Sequence, residues 1–159
     1  MDFKLSYEMK ASADDVWWVV GERFDDLRWS SGITESSLEG ELGVGAIRVC
    51  HFPPNQFSKT GMVKERLLSF DRKAKTLSYE VTESNGVMKS ACNHWTIVPL
   101  GPKRCRVDMH AQVELQGIAR WFSFFMGFML KRMGTQTARE LEAHVLQRQQ
   151  RGELAKATP

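Results

Sequence analysis

Residues 104–115 read RCRVDMHAQVEL, and their alternation decides how the rest of the chain is read. Cys105, Val107, Met109, Ala111, Val113 and Leu115 fall on one side of an extended strand. Arg104, Arg106, Asp108, His110, Gln112 and Glu114 fall on the other. Successive strand side chains point to opposite faces, so this strand belongs to a sheet with one covered face and one wet face. The next segment supplies a cover. Residues 118 to about 149 contain no proline and read as one long helix. It is apolar nearly all round from Trp121 to Met133. From Thr135 to Gln149 it is amphipathic, with Ala138, Leu141 and Val145 on one stripe.

Upstream of this strand, the stretches 33–40, 45–52, 59–70, 75–83 and 87–98 also read as strands. Turn compositions separate them: Gly40 to Gly45, Pro53-Pro54-Asn55, Asp71 to Lys75, Ser84-Asn85-Gly86 and Pro99 to Lys103. Connections this short imply antiparallel order, and Asn85-Gly86 is a hairpin signal. At the N-terminus, Phe3, Leu5, Tyr7 and Met9 alternate with Lys4, Ser6 and Glu8, giving a strand over 3–9. Ser12 is placed to cap a short helix carrying Val16, Trp17, Val19 and Val20, with an acid at Asp15 and an end at Gly21. A second short helix over 22–30 would carry Phe24, Leu27 and Trp29.

This order predicts an α+β helix-grip fold: a seven-stranded curved antiparallel sheet wrapped around a long C-terminal helix, with two short helices after the first strand. Residues 1–150 are expected to form one ligand-binding domain and 151–159 a loose tail. A curved sheet and a helix that do not meet fully leave a cavity.

Composition excludes several classes. In 159 residues, 42% are hydrophobic and 26% charged, enough for a packed core. A net charge of +3, with no basic and aromatic residues clustered on one strand face, argues against a nucleic-acid partner. Three cysteines without paired spacing suggest neither disulfides nor zinc, and no third ligand accompanies His94 and His110, which lie on the wet face. The side of His51 stays ambiguous, and Cys50 and Cys92 read as packing residues. Without a signal peptide or an apolar run long enough to span a bilayer, the expectation is a cytoplasmic protein. No phosphate-binding loop and no nucleophile relay is readable, and no metal or cofactor is expected.

The informative residues are polar ones with inward parity. Glu65 shares a face with Val63 and Leu67, opposite Lys64 and Arg66. An inward carboxylate needs a partner. Arg48 shares its face with Ala46, Cys50 and Phe52 on the neighbouring strand, and is placed to provide one. The pair is either a buried salt bridge holding register or a ligand-binding or catalytic pair. Tyr79 lies on the apolar face of its strand, and Asn93 shares parity with Trp95. With Trp29, Val63 and Met109 these complete the sheet and loop side of a ligand wall. Eight of the 22 Trp, Phe and Met residues fall between 121 and 133. The stretch reads first as the buried end of the closing helix, and its excess over one stripe assigns Phe122, Phe125 and Met129 to the cavity wall. The remaining uses of the excess are a gate, a homodimer contact or a membrane-touching patch, the last two favoured by Lys131 and Arg132.

Three segments, ASADDVWWVVGERFDDLRW (11–29), LEGELGVGAIRV (38–49) and VKERLLSFDRKAKTLSYEV (63–81), together with the final helix, resemble the START-like superfamily. That superfamily includes the polyketide cyclase/dehydrase and lipid-transport proteins and the birch-pollen-allergen-like proteins. The Gly45-Ala46-Ile47-Arg48 turn and strand, followed by KERLLSFD and LSYEV, resembles the polyketide-cyclase-type branch and plant lachrymatory-factor synthase. The latter resemblance implies an Arg and a Glu that carry proton transfer, at positions 48 and 65 here. The implied role is binding of a hydrophobic, aromatic polyketide-like or lipid-like molecule, as carrier or sensor. The alternative is a cofactor-free cyclase, dehydratase or isomerase. There Arg48 would stabilise an enolate oxygen while Glu65, helped by Tyr79, moves a proton.

Overall fold

A computed structural model describes residues 2–53, 61–84, 88–115 and 123–153. The elements in chain order are β1 (Asp2–Met9), α1 (Ala13–Trp17), β2 (Glu35–Glu39), β3 (Ile47–Phe52), β4 (Gly61–Asp71), β5 (Thr76–Ser84), β6 (Met88–Gly101), β7 (Arg104–Leu115) and α2 (Ser123–Gln150). The strands form one antiparallel, curved sheet in the order β1-β7-β6-β5-β4-β3-β2, with α2 as the long C-terminal helix. From β2 to β7, neighbours in sequence are neighbours in the sheet. Only β1 is placed by a long-range contact, its Leu5 opposite Met109 of β7.

The wet face is pinned by cross-strand polar pairs. Ser6 donates to Asp108 at 2.6 Å, Arg104 to Glu8 at 2.8 Å and Arg66 to Glu80 at 2.6 Å. His94 and His110 face each other across β6 and β7 on this side, and His110 contacts Asp2. The covered face holds the core: Met9, Leu67, Leu77, Ile97 and Val107 from the sheet, and Ala138, Leu141 and Val145 from the α2 stripe. The three stripe residues are fully buried. Tyr7 and the Lys10 backbone both donate to Glu142, tying the first strand to the helix.

Three sequence expectations change. α1 is capped as expected, Ser12 Oγ accepting from the Asp15 N–H at 3.1 Å, but the Asp15 carboxylate accepts from Gln149 of α2 instead of closing a capping box. The helix does not end at Gly21. It widens into a π-helical turn over Trp18–Glu22. Gly21 is required there because a Cβ would lie 2.6 Å from the Trp17 ring. Nor is there a second helix over 22–30, which is built of turns. Asp26 accepts from the backbone N–H of Arg28, and Ser36 from that of Leu27. These side-chain bonds compete with helix formation for the same backbone groups.

The register of β4 with β5 also shifts twice, and the second shift breaks the alternation of β4. Leu67 pairs with Tyr79 and Ser69 with Ser78, leaving Leu68 as a bulge residue with 41% exposure. The bulge returns Phe70 to the covered side, where its ring lies 5.2 Å from that of Trp17. The hairpin expected at Asn85-Gly86, part of the turn at 53–55 and the first turns of the final helix lie outside the described residues.

Candidate functional site

A cavity of about 300 Å³ lies between the covered sheet face, the turns after α1 and one side of α2. The sheet positions its floor in rows. Asn93 of β6 stands between Tyr79 of β5 and Ala111 of β7, with Phe3 beyond. The next row is Leu77, Trp95 and Met109. Arg48, Cys50, Phe52 and Glu65 form the wall on β3 and β4. Phe24, Leu27, Trp29 and Ile33 close it from the turns, and Leu130, Met133, Gly134 and Thr137 from α2.

Arg48 and Glu65 are directly opposite in the register of β3 and β4. The Gly45 turn starts this arrangement: its φ of 94° suits glycine, and its N–H donates to the Leu67 carbonyl at 2.8 Å. Arg48 Nε and Nη2 reach Glu65 Oε2 at 2.7 and 2.6 Å, and Nη1 donates to the Phe24 carbonyl at 3.1 Å. The guanidinium centre lies 3.9 Å from the Phe24 ring and 5.0 Å from the Tyr79 ring. Arg48 is 5% exposed, the one charged residue buried among those described. Burial works most strongly against its charge, but Glu65, Tyr79 and Cys50 together outweigh it and its pKa is raised.

The neighbours respond to the same pair. Burial pushes the Tyr79 hydroxyl well above the usual phenol range, and Glu65 adds to this. Arg48 and the Trp95 indole oppose it. The Cys50 thiol, 3.7 Å from Glu65 Oε2, is pushed up to about 12 by burial and then by Glu65. Both groups therefore keep their protons at neutral pH. Glu65 Oε1 and the Asn93 carboxamide accept and donate no hydrogen bond among the described residues, although both residues line the cavity. The polar chemistry on offer is a charge-compensated ion pair, one open carboxylate oxygen, one open amide and a protonated phenol.

The structure brings together Arg48, Glu65, Tyr79, Trp29, Asn93, Trp95 and Met109 around one space. Val63 and Met129 do not stand on that wall. Val63 is buried opposite Cys50, one inward position beyond Glu65. Met129 is 46% exposed because it sits about 100° round the helix from Leu130. Phe128 and Met133 are also exposed, at 75% and 55%, so α2 carries an uncovered apolar side beside Lys131 and Arg132. Phe122 and the side chain of Phe125 lie outside the described residues. Sequence reasoning missed Leu130 and Gly134, though a signal existed. The stripe of Val145, Leu141 and Ala138, continued toward the N-terminus at helical spacing, passes through both. Arg23 and Asp26 had no such signal, since turns have no periodicity.

Among the described residues no group of three His, Cys, Asp or Glu side chains is placed to hold a metal ion, and no helix is long and apolar enough to cross a membrane. A family model described as polyketide cyclase / dehydrase and lipid transport matches residues 1–146. Among solved structures, the Zhui aromatase/cyclase from Streptomyces sp. R1128 aligns with a TM-score of 0.72 at 14% identity, covering 93% of this chain and 94% of that one. Norcoclaurine synthase from Thalictrum flavum, a point mutant in complex with a transition-state analogue, aligns at 0.68 and 19%, covering 94% and 96%. Ara h 8.0201 aligns at 0.72 and 13%, covering 92% and 98%. At these identities the structural likeness is one of fold. No curated protein matches the sequence.

Proposed function

The chain belongs to the polyketide cyclase / dehydrase and lipid transport family, and we propose that its cavity binds a hydrophobic small molecule as a carrier or sensor. The observation that carries this reading is the wall itself. Aromatic and aliphatic side chains from the sheet, the turns and α2 surround the space, and few polar groups converge on it. The state of Arg48 favours binding over chemistry. Its charge is met by Glu65, Nη1 by the Phe24 carbonyl, and little of it is exposed to meet a developing oxyanion.

The alternative is a cofactor-free cyclase, dehydratase or isomerase, and one observation speaks for it. Glu65 lines the cavity, and its Oε1 has no hydrogen bond among the described residues, as a general base requires. Native mass spectrometry of freshly purified protein tests the first reading, which expects a co-purified apolar molecule. Titration with an apolar fluorophore, read by quenching at Trp29 and Trp95, gives the second measurement. Absence of both signals refutes the binding reading. For the enzyme reading, Glu65→Gln should abolish turnover of an aromatic polyketide while leaving affinity nearly intact.

The exposed Phe128, Met129 and Met133 beside Lys131 and Arg132 extend the reading outward, to a membrane surface met at the cavity's α2 edge. Failure to co-sediment with anionic liposomes removes that extension.

A further inference from the structure

The charges around the cavity restrict what enters it. The charged residues on its described wall are Arg23, Asp26, Arg48 and Glu65, two of each sign. Each cation is already compensated. Arg48 is held by Glu65, and Arg23 donates to both oxygens of Asp25 at 3.0 and 3.1 Å with Asp26 3.9 Å away. An anionic head group would thus be buried with no free cation on the described wall to meet it, at a large cost. It would also approach a carboxylate oxygen that has no donor of its own.

That oxygen sets the positive requirement. Both Arg48 contacts with Glu65 and the Cys50 thiol address Oε2, leaving Oε1 an acceptor with no donor among the described residues. An ionised carboxylate is acceptor-only, whereas the Asn93 carboxamide both donates and accepts. Asn93 therefore tolerates either kind of partner, and Glu65 discriminates. An ammonium ligand would satisfy Oε1 but bring a third positive charge to a balanced wall.

We infer that the ligand is a neutral, apolar molecule bearing a hydroxyl group that donates to Glu65 Oε1, and that carboxylate ligands such as free fatty acids are excluded. This rests on the cavity being a hydrophobic ligand site. A volume of about 300 Å³ is that of roughly ten liquid waters. A two-ring phenol fits that scale.

Three naphthalenes substituted at the same ring position separate the possibilities: naphthol, methoxynaphthalene and naphthoate. Their affinities are measured on the unaltered protein by calorimetry at neutral pH, where the phenol is un-ionised and the acid ionised. Naphthol should bind about tenfold or more tightly than methoxynaphthalene, which leaves Oε1 unmet. Naphthoate should bind most weakly. Equal binding of all three overturns the donor requirement and leaves the hydrophobic-site reading standing. Naphthoate binding as tightly as naphthol overturns the exclusion of anions. Failure of all three to bind removes both the inference and the reading beneath it. A fourth compound, aminomethylnaphthalene, tests the charge preference: its binding more tightly than naphthol overturns the preference for a neutral ligand. Glu65→Gln adds a reversal: with Arg48 uncompensated, naphthoate affinity should rise while naphthol affinity falls.

Discussion

Replacing Arg48 by methionine should destabilise the protein far more than removing an ordinary surface ion pair. The methionine keeps most of the apolar stem. What disappears is the guanidinium that meets Glu65 Oε2 twice, at 2.7 and 2.6 Å, and the Phe24 carbonyl once. The Glu65 side chain is 14% exposed, and its one remaining described contact would be the Cys50 thiol at 3.7 Å. Breaking a buried pair from one side costs about 3–5 kcal/mol because a charge is left uncompensated. For a chain of this length that corresponds to a fall in Tm of about 6–20 °C. Removing both charges, as Arg48→Met with Glu65→Leu, should be less harmful than Arg48→Met alone by about 2 kcal/mol or more. The residual deficit is about 1 kcal/mol, from the Phe24 carbonyl losing its donor. Urea unfolding of the wild type, both single variants and the double variant gives the coupling directly. If Arg48→Met costs under about 1 kcal/mol, or if the two single effects simply add, then the pair does not behave as a buried, mutually dependent unit, and the charge argument for the ligand falls with it.

Three further outcomes follow from other parts of the fold. Arg28 above all holds the Asp26 carboxyl down to about 2 against a usual 3.8, even though burial raises it. A depressed carboxylate pKa stabilises the folded state at higher pH. Screened by solvent at the exposed Arg28, this contribution is about 1 kcal/mol, present above about pH 4 and lost as pH falls toward 2, and Asp26→Asn should flatten that part of the acid-stability curve. Burial pushes Cys50 up to about 12 and Cys105 up to about 11, whereas Cys92 is partly exposed. A soluble disulfide reagent should therefore label Cys92 alone in the native protein and all three thiols after denaturation, as peptide mapping would read. Leu141 is fully buried on the α2 stripe, so Leu141→Ala should cost about 2–5 kcal/mol in urea unfolding.

Legibility varied with how local the physical cause was. The alternation of β7 and the stripe of Ala138, Leu141 and Val145 were readable because strand and helix geometry impose fixed periods on burial. The bulge at Leu68 was not, because it arises from the pairing of β4 with β5 and leaves no mark in β4 alone. Residues 22–30 read as a helix because Phe24, Leu27 and Trp29 fit helical spacing. What defeated it was the competition from Asp26 and from Ser36, nine residues beyond Leu27. At the site, inward parity singled out Arg48, Glu65, Tyr79 and Asn93. Val63 and Met129 shared the same kinds of pattern yet stand off the wall, because parity and periodicity give a face and not a position along it.

The sequence by itself determined that seven strands precede a long helix, that the sheet has one wet and one covered face, and that a carboxylate and a guanidinium point inward on adjacent strands. Only the tertiary structure decided that β1 closes against β7, that both Arg48 contacts fall on a single oxygen of Glu65, and that a space of about 300 Å³ remains beneath α2. Periodicity reports what each segment must bury. Which atoms meet, and what volume they leave unfilled, depends on how separately satisfied segments are packed together.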